Sequence, residues 1–408
     1  MAESSLPAPS SAGLSPGRLV AGGRFADVAA ARTRAVGIVG AGVAGLALAA
    51  ALRRRGIGHR VYEQAPAFGE VGAGIQLAPN ATRLLDRLGL GPALAAVAVR
   101  PAAIEMRAWD SGEVLGRTEL GESCVAQYGA PYLTMHRADL HRVLAALVDP
   151  RSIVLGARID KIAEDADGVG LAYADGRQDR VAVLVGADGV RSAVRAGLHP
   201  DQPRYSGHTI YRGLVPADAA PWLAEAPRVV LWLGPGKHAV AYPVSGGRQI
   251  SFGATFPTPT HDGGESWSAP ADPAAVLAAY EGWHPDLRDL LAQADRVSRW
   301  ALHDRDPIPT WSTARITLAG DAAHPMLPFV AQGANQAIED AFTLARQLAH
   351  VRVSTALARY EHARKTRTER VQSISRGNAT ALHDGSRPDP EQQRAQQQWL
   401  YGFDAEEG

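Results

Sequence analysis

Val36-Gly37-Ile38-Val39-Gly40-Ala41-Gly42-Val43-Ala44-Gly45 is followed by an apolar run from Leu46 to Arg55 and then by Arg60-Val61-Tyr62-Glu63, and this stretch decides the fold. A short apolar strand must turn sharply into a helix here. Gly40 makes the turn, Gly42 lets backbone approach a phosphate, and Gly45 lets helix and strand pack closely. The helix N-terminus then faces the anion. Glu63 lies 18 residues beyond Gly45, at the end of the second strand, where a carboxylate accepts hydrogen bonds from ribose hydroxyls. Strand, glycines, helix, strand and acid in this order predict a nucleotide pyrophosphate site on a doubly wound α/β sheet.

The bulk numbers fit an enzyme of small molecules. The 408 residues are 46% hydrophobic, enough to bury a large core and to form two or three domains. With 42 basic and 42 acidic residues there is no net field to recruit nucleic acid or an anionic membrane. The single cysteine, Cys124, excludes an internal disulfide and a cysteine-rich metal site; no metal is expected, and a reducing cytoplasm suits the chain. No apolar run approaches the length that spans a bilayer. Met1 to Arg34 is rich in Ser, Ala, Pro and Gly and lacks a continuous apolar segment, so it reads as a disordered extension.

Further along, Gly72-Ala73-Gly74-Ile75-Gln76-Leu77-Ala78-Pro79-Asn80 reads as a loop able to press backbone against a flat ligand, and helical spacing follows from Ala81 to Leu88. Ile104 to Leu120 alternates like two strands about Asp110-Ser111-Gly112, and Met135 to Val148 has the spacing of an amphipathic helix. Val181 to Val185 is a buried strand running into Gly186-Ala187-Asp188-Gly189. From Tyr205 to Trp300 strand-like runs between Pro and Gly predict a mainly antiparallel sheet. Ile316 to Ala319 then returns to a buried strand, Gly320-Asp321 follows, and Gly333 to Ala349 makes a helix. The Gln-rich end reads as a weakly structured or helical tail.

Three glycine–acid junctions at strand ends point to one long ligand. With them the sequence resembles the single-component, FAD-dependent aromatic hydroxylases: Gly40 to Gly45 is their pyrophosphate motif, Gly186-Ala187-Asp188-Gly189 their DG motif, and Gly320-Asp321-Ala322-Ala323-His324-Pro325 their GD motif. The resemblance implies resident FAD in a glutathione-reductase-type Rossmann-like domain with an inserted mainly antiparallel substrate sheet. It assigns Gly40, Gly42, Ala44, Gly45, Glu63 and Gln64 to the adenosine and pyrophosphate, and Asp321 to the ribityl hydroxyls. Asp188 helps hold the cofactor and the pyrophosphate of the reductant. Gln76, Arg137 at the start of a helix, and the backbone at Ile159 beside the adenine complete the set, together with Gly333 and Ala334, whose helix start faces the flavin. The domain boundaries expected are 35–103, 134–204 and 299–385 for FAD, 104–133 and 205–298 for substrate, 1–34 for the extension and 386–408 for a tail.

A single dinucleotide fingerprint leaves no second resident site, so NADH is expected to visit, and O2 to react afterwards through a flavin C4a-hydroperoxide, as the family does. An arene reacts fast when a ring hydroxyl is deprotonated, so a base is needed. His238-Ala239-Val240-Ala241-Tyr242-Pro243 puts His238 and Tyr242 on one strand face, separated by ~13 Å. Histidine is the expected base or relay, and tyrosine the partner of a carboxylate or hydroxyl. Within the family the likeness leans to enzymes acting on 6-hydroxynicotinate, with hydroxylation replacing the carboxylate, and next to salicylate hydroxylases; some members carry a histidine where this chain has Gln76. A non-hydroxylating flavin oxidoreductase and a nucleotide-binding module without turnover are the alternatives. Oligomeric state stays open, a homodimer being among the states allowed.

Overall fold

The computed structural model describes residues 18–19, 35–69, 72–258, 269–383 and 389–407. Five parallel strands form the first sheet in the order Ile316–Leu318, Val183–Gly186, Val36–Val39, His59–Tyr62, Ile153–Val154. Val36–Val39 and Val183–Gly186 are buried along their whole length, as continuous apolar strands covered on both faces must be. Val39, Gly186 and Leu318 pair in register, and Val39 also pairs with Tyr62. All strands point the same way, so Gly40, Glu63, Asp188 and Asp321 emerge at one carboxyl edge. That edge is where open α/β sheets bind ligands.

Helix Val43–Arg54 covers one side of this sheet, with Leu46, Leu48 and Leu52 fully buried, and packs against the long helix Gly333–His350. Gly45 permits the contact. A Cβ there would lie 1.9 Å from the carbonyl oxygen of Gly40.

The second sheet has eight strands in the order Ala269–Ala271, Val297–Asp304, Arg204–Pro216, Gln249–Pro257, Lys237–Val244, Val229–Gly234, Ala103–Ala108, Val114–Glu119. Every pairing is antiparallel except that of Val229–Gly234 with Ala103–Ala108. One face buries Trp232, Ala239, Ala241, Ile250 and Phe252 against Tyr280, Leu287 and Leu290. The other carries Ile210, Arg212 and Leu214, then Ser251, Gly253 and Thr255, then His238, Val240 and Tyr242, paired in rows across three strands. The strand Val297–Asp304 keeps this sheet going to Asp304, so the substrate unit runs six residues past the expected boundary at 298. Its alternating pattern lacks a turn signal at that point.

Other segments depart from expectation. Gly74–Leu77 is a strand rather than a loop, paired antiparallel with Leu133–His136, and the following helix begins early, at Pro79. Helix Arg137–Ala145 therefore starts only after that second strand. Of the 1–34 extension, expected to be disordered, only Arg18–Leu19 is described; this pair runs parallel to Lys161–Ile162, and the remainder lies outside the described residues. The Gln-rich end forms helix Pro390–Tyr401, and it is docked: Leu400 and Tyr401 are buried, and Asp404 accepts two 2.6 Å bonds from Arg87. No helix among the described residues is long and apolar enough to cross a membrane.

Candidate active site

At the carboxyl edge Gly40 has φ +100°, and a Cβ on it would meet the Ala187 carbonyl oxygen at 2.4 Å. Gly42 differs. A Cβ on Gly42 would meet no protein atom within 4 Å, and the helix it caps has no side-chain cap. The structure thus leaves room beside bare amides at a helix N-terminus, which suits a pyrophosphate. Glu63 is oriented by two backbone amides, Ala41 to Oε2 at 2.8 Å and Ala65 to Oε1 at 2.9 Å; Gln64 beside it is exposed. The segment leading to Ile159 lies alongside, since Gly156 and Ala157 donate to the carbonyls of Ala65 and Glu63. Ala44 packs under Gly320, which has φ +60° and where a Cβ would approach Ala44 Cβ to 2.8 Å.

Asp321 follows Gly320. Burial raises its carboxyl above the ordinary range, and the positive charge of Arg137 works against that rise. The two side chains form no hydrogen bond or salt bridge with other described residues. Helix Gly333–His350 begins close by: its N-cap Gln332 gives no side-chain cap, and Asp321 Oδ1 is 3.8 Å from where a Gly333 Cβ would stand, so the Gly333 and Ala334 amides open on this space. Ala331 holds φ +51°, rare for a residue with a Cβ, and its carbonyl accepts Asn335 Nδ2 at 2.7 Å. A buried charge network props this turn from behind. Asp340 accepts the Gly320 amide at 2.8 Å and faces His324 Nε2 at 2.6 Å, while Arg364 joins Asp340 to Glu339. The bare helix starts, the open space at Gly42 and the unpaired Asp321 and Arg137 fit a dinucleotide lying along this edge.

Asp188 stands at the carboxyl end of strand Val183–Gly186, at the turn into a helix. Its oxygens accept from Ser192 Oγ and from the amides of Ala193 at 2.7 Å and Val194 at 3.2 Å, so the carboxylate starts helix Ala193–Leu198. Burial raises its pKa, and these donors oppose the rise. Gln76 stands on strand Gly74–Leu77, where Tyr132 donates to its Oε1 at 2.6 Å.

Facing the edge is the substrate sheet. Gly74 donates to Ser251 Oγ at 3.0 Å and has no room for a Cβ, which would come within 2.6 Å of Tyr242 Cε2. Tyr242 is 7% exposed, its phenol pushed up by burial and drawn back by Arg212, Gln76 and Ser251. His238, four residues away on the same face, is 5% exposed and hydrogen-bonds His383 (Nδ1 to Nε2, 2.9 Å), with Phe329 edge-on at 5.4 Å. Burial, then the neighbouring His383 and His208, push its pKa down to about 3, so it is neutral at physiological pH. Histidine and tyrosine do not touch, as their strand separation requires.

Between them in register stands Arg212, paired with Gly253 and thus in the row of Val240. Burial holds its pKa down to about 10, Tyr242 acting against the fall and Arg137 adding to it. It lies over the Trp300 ring at 4.3 Å and makes no salt bridge with the described residues. This guanidinium was missed in the sequence. A charged residue in the inward register of Ile210, Arg212 and Leu214 was the available signal. Tyr132 and His383 were missed too, because only the fold brings them to Gln76 and His238.

The FAD binding domain family matches residues 33–375. The chain belongs to that family. It is 47% identical to a 3-amino-4-hydroxybenzoate 2-monooxygenase of Streptomyces platensis over 91% of this chain and 96% of the relative. It is 37% identical to a 6-hydroxynicotinate 3-monooxygenase of Bordetella bronchiseptica, covering 90% and 95%. A salicylate hydroxylase solved as its substrate complex superposes with a TM-score of 0.78 at 27% identity, covering 93% of this chain and 97% of that one. The chain is accordingly an FAD-dependent aromatic monooxygenase with the aromatic hydroxylase fold.

Proposed function

We propose that this monooxygenase hydroxylates an aminohydroxybenzoate at the carbon beside the amino group, keeping the ring carboxylate and taking electrons from NADH. The observation that carries the reading is Arg212: a half-buried guanidinium without an acidic partner among the described residues, set between His238 and Tyr242 on the face toward the flavin edge. It suits the carboxylate of an aromatic acid, which it would bind in two-point geometry. The relative at 47% identity acts on 3-amino-4-hydroxybenzoate, and identity falls to 37% for the one acting on 6-hydroxynicotinate.

The chemistry of such a ring revises the task of the base. Carbon 2 of 3-amino-4-hydroxybenzoate is meta to the hydroxyl and ortho to the amino group, so the amine lone pair activates it. A neutral histidine suits that. In the neutral tautomer whose Nδ1–H donates to His383, His238 Nε2 would accept an amine N–H and keep the lone pair in conjugation. Tyr242, as a donor, would hold the ring hydroxyl. Glu63, Arg137, Asp321 and the helix starts at Gly42 and Gly333 would hold FAD, which supplies activated dioxygen once reduced. The single fingerprint supports a reductant that visits and leaves.

The likeness at 37% identity supports a second reading, 6-hydroxynicotinate with loss of carbon dioxide. Purified holoenzyme is tested with 3-amino-4-hydroxybenzoate, 6-hydroxynicotinate and salicylate, following NADH oxidation, product mass and carbon dioxide. The aminohydroxybenzoate is expected to give the greatest stimulation and a product 16 mass units heavier, without carbon dioxide. Stimulation by 6-hydroxynicotinate alone, with carbon dioxide, rejects the proposal in favour of the second reading.

A further inference from the structure

Ala41, between the first two glycines of the phosphate loop, has both of its backbone polar groups taken. Its N–H donates to Glu63 Oε2 at 2.8 Å, and its carbonyl accepts from His141 Nε2, also at 2.8 Å. Against a carbonyl an imidazole nitrogen can only donate, so Nε2 carries the hydrogen. The two peptide planes that meet at Ala41 are therefore each pinned, one by a carboxylate and one by a histidine 100 residues away in the chain. His141 stands on helix Arg137–Ala145, one turn after Arg137, and Leu140 and Leu144 of that helix are buried in the core. Phe68 lies edge-on to its ring at 4.8 Å.

We propose that His141 is a positioning residue for the FAD pyrophosphate, holding the Ala41–Gly42 peptide so that the Gly42 N–H is presented to the phosphates. In a planar trans peptide the carbonyl and the following N–H point in opposite directions, and the described chain has no cis bond. Fixing the Ala41 carbonyl on the side of helix Arg137–Ala145 thus sends the Gly42 N–H to the other side. That amide donates to no described residue, and a Cβ on Gly42 would meet open space. Hydrogen bonding at the carbonyl also polarises the peptide and makes its N–H a stronger donor. Glu63 fixes the preceding peptide, so Ala41 keeps no freedom to turn the amide away. One helix thereby serves the same ligand edge twice, with the charge of Arg137 and, one turn on, with a histidine that acts through the backbone.

The inference is independent of which aromatic acid is the substrate, and its test needs no turnover. Holoenzymes of the parent, His141→Leu and His141→Gln are diluted serially, and released flavin is read by fluorescence to give the Kd of FAD. The leucine variant is expected to bind FAD about three- to tenfold more weakly, the range of one hydrogen bond. The glutamine variant, whose Nε2–H reaches the same carbonyl, is expected to stay within about twofold of the parent. Phosphorus NMR at saturating FAD reads the pyrophosphate itself: its resonances are expected to move in His141→Leu and to keep the parent's positions in His141→Gln. Lost packing alone would weaken both variants together. If His141→Leu does not fold, His141→Asn, whose amide is too short to reach the carbonyl, takes its place in the comparison. Unchanged FAD affinity in the leucine variant, an equal loss in the glutamine variant, or phosphorus resonances that stay in place overturn the proposal.

Discussion

Replacing Arg212 with methionine separates binding from folding, because the two should respond with opposite signs. The guanidinium, ordinarily ionising at 12.5, is held down to about 10, chiefly by burial. At ~1.4 kcal/mol per pH unit this amounts to about 3 kcal/mol against the charged form, and screening by chamber water reduces it to about 1–2 kcal/mol. The sign follows directly: a base whose folded pKa lies below its unfolded one weakens the fold at every pH where it is charged, relieved only above about 10. Methionine of similar length removes that burden, so the thermal midpoint of the ligand-free protein should match or exceed the parent's. Binding should go the other way. A desolvated arginine–carboxylate pair is worth about 2–4 kcal/mol, or roughly 30- to 1,000-fold in Kd. The assay is titration of the flavin absorbance change with the aromatic acid and, in parallel, with its carboxamide. The acid should weaken by that factor and the amide by less than about threefold. Equal losses for acid and amide, or an acid affinity that does not change, would refute the carboxylate assignment.

Three further outcomes follow from other parts of the molecule. Gly42→Ala should fold, since its Cβ meets no protein atom, yet weaken FAD binding measured by flavin release, whereas Gly45→Ala, with its Cβ 1.9 Å from the Gly40 oxygen, should destabilise the fold by about 1–3 kcal/mol in denaturant melts. Arg364→Met leaves the fully buried Glu339 with Arg367 alone and Asp340 with His324 alone as charged partners, and should cost about 3–5 kcal/mol; soluble protein with an unchanged melting point would contradict the network's role. His238, held down to about 3 from 6.5, binds its proton in the unfolded chain before the native one, so stability should fall as pH drops from 6.5 toward 3, by up to ~1.4 kcal/mol per pH unit. His238→Gln should flatten that dependence in denaturation series between neutral and mildly acidic pH.

Much of this was legible in one dimension. Local steric demands are written residue by residue, so Gly40 and Gly45, the strand ends before Asp188 and Asp321, and the helix after Gln332 could each be read where they stand. Period-two alternation likewise put His238 and Tyr242 on one face. Side-chain commitments were not legible. Asp188 carries the family's acidic signature, but only the turn into Ser192–Val194 shows its oxygens already taken. Gln76 looked like a residue of a flat loop, whereas ribbon pairing with Leu133–His136 brings its amide to Tyr132.

What the sequence alone determined, then, was the order of strands, turns and helices and the backbone geometry that a dinucleotide demands, because these depend on neighbours a few residues apart. Tertiary structure alone decided which polar groups meet: Arg212 between His238 and Tyr242, His383 on His238, and Tyr401 behind Tyr132. Those partners lie tens to hundreds of residues apart in the chain, 145 for His383 and His238 and 269 for Tyr401 and Tyr132. Hydrogen-bond direction and burial depend on distance in space, and no local pattern encodes that distance.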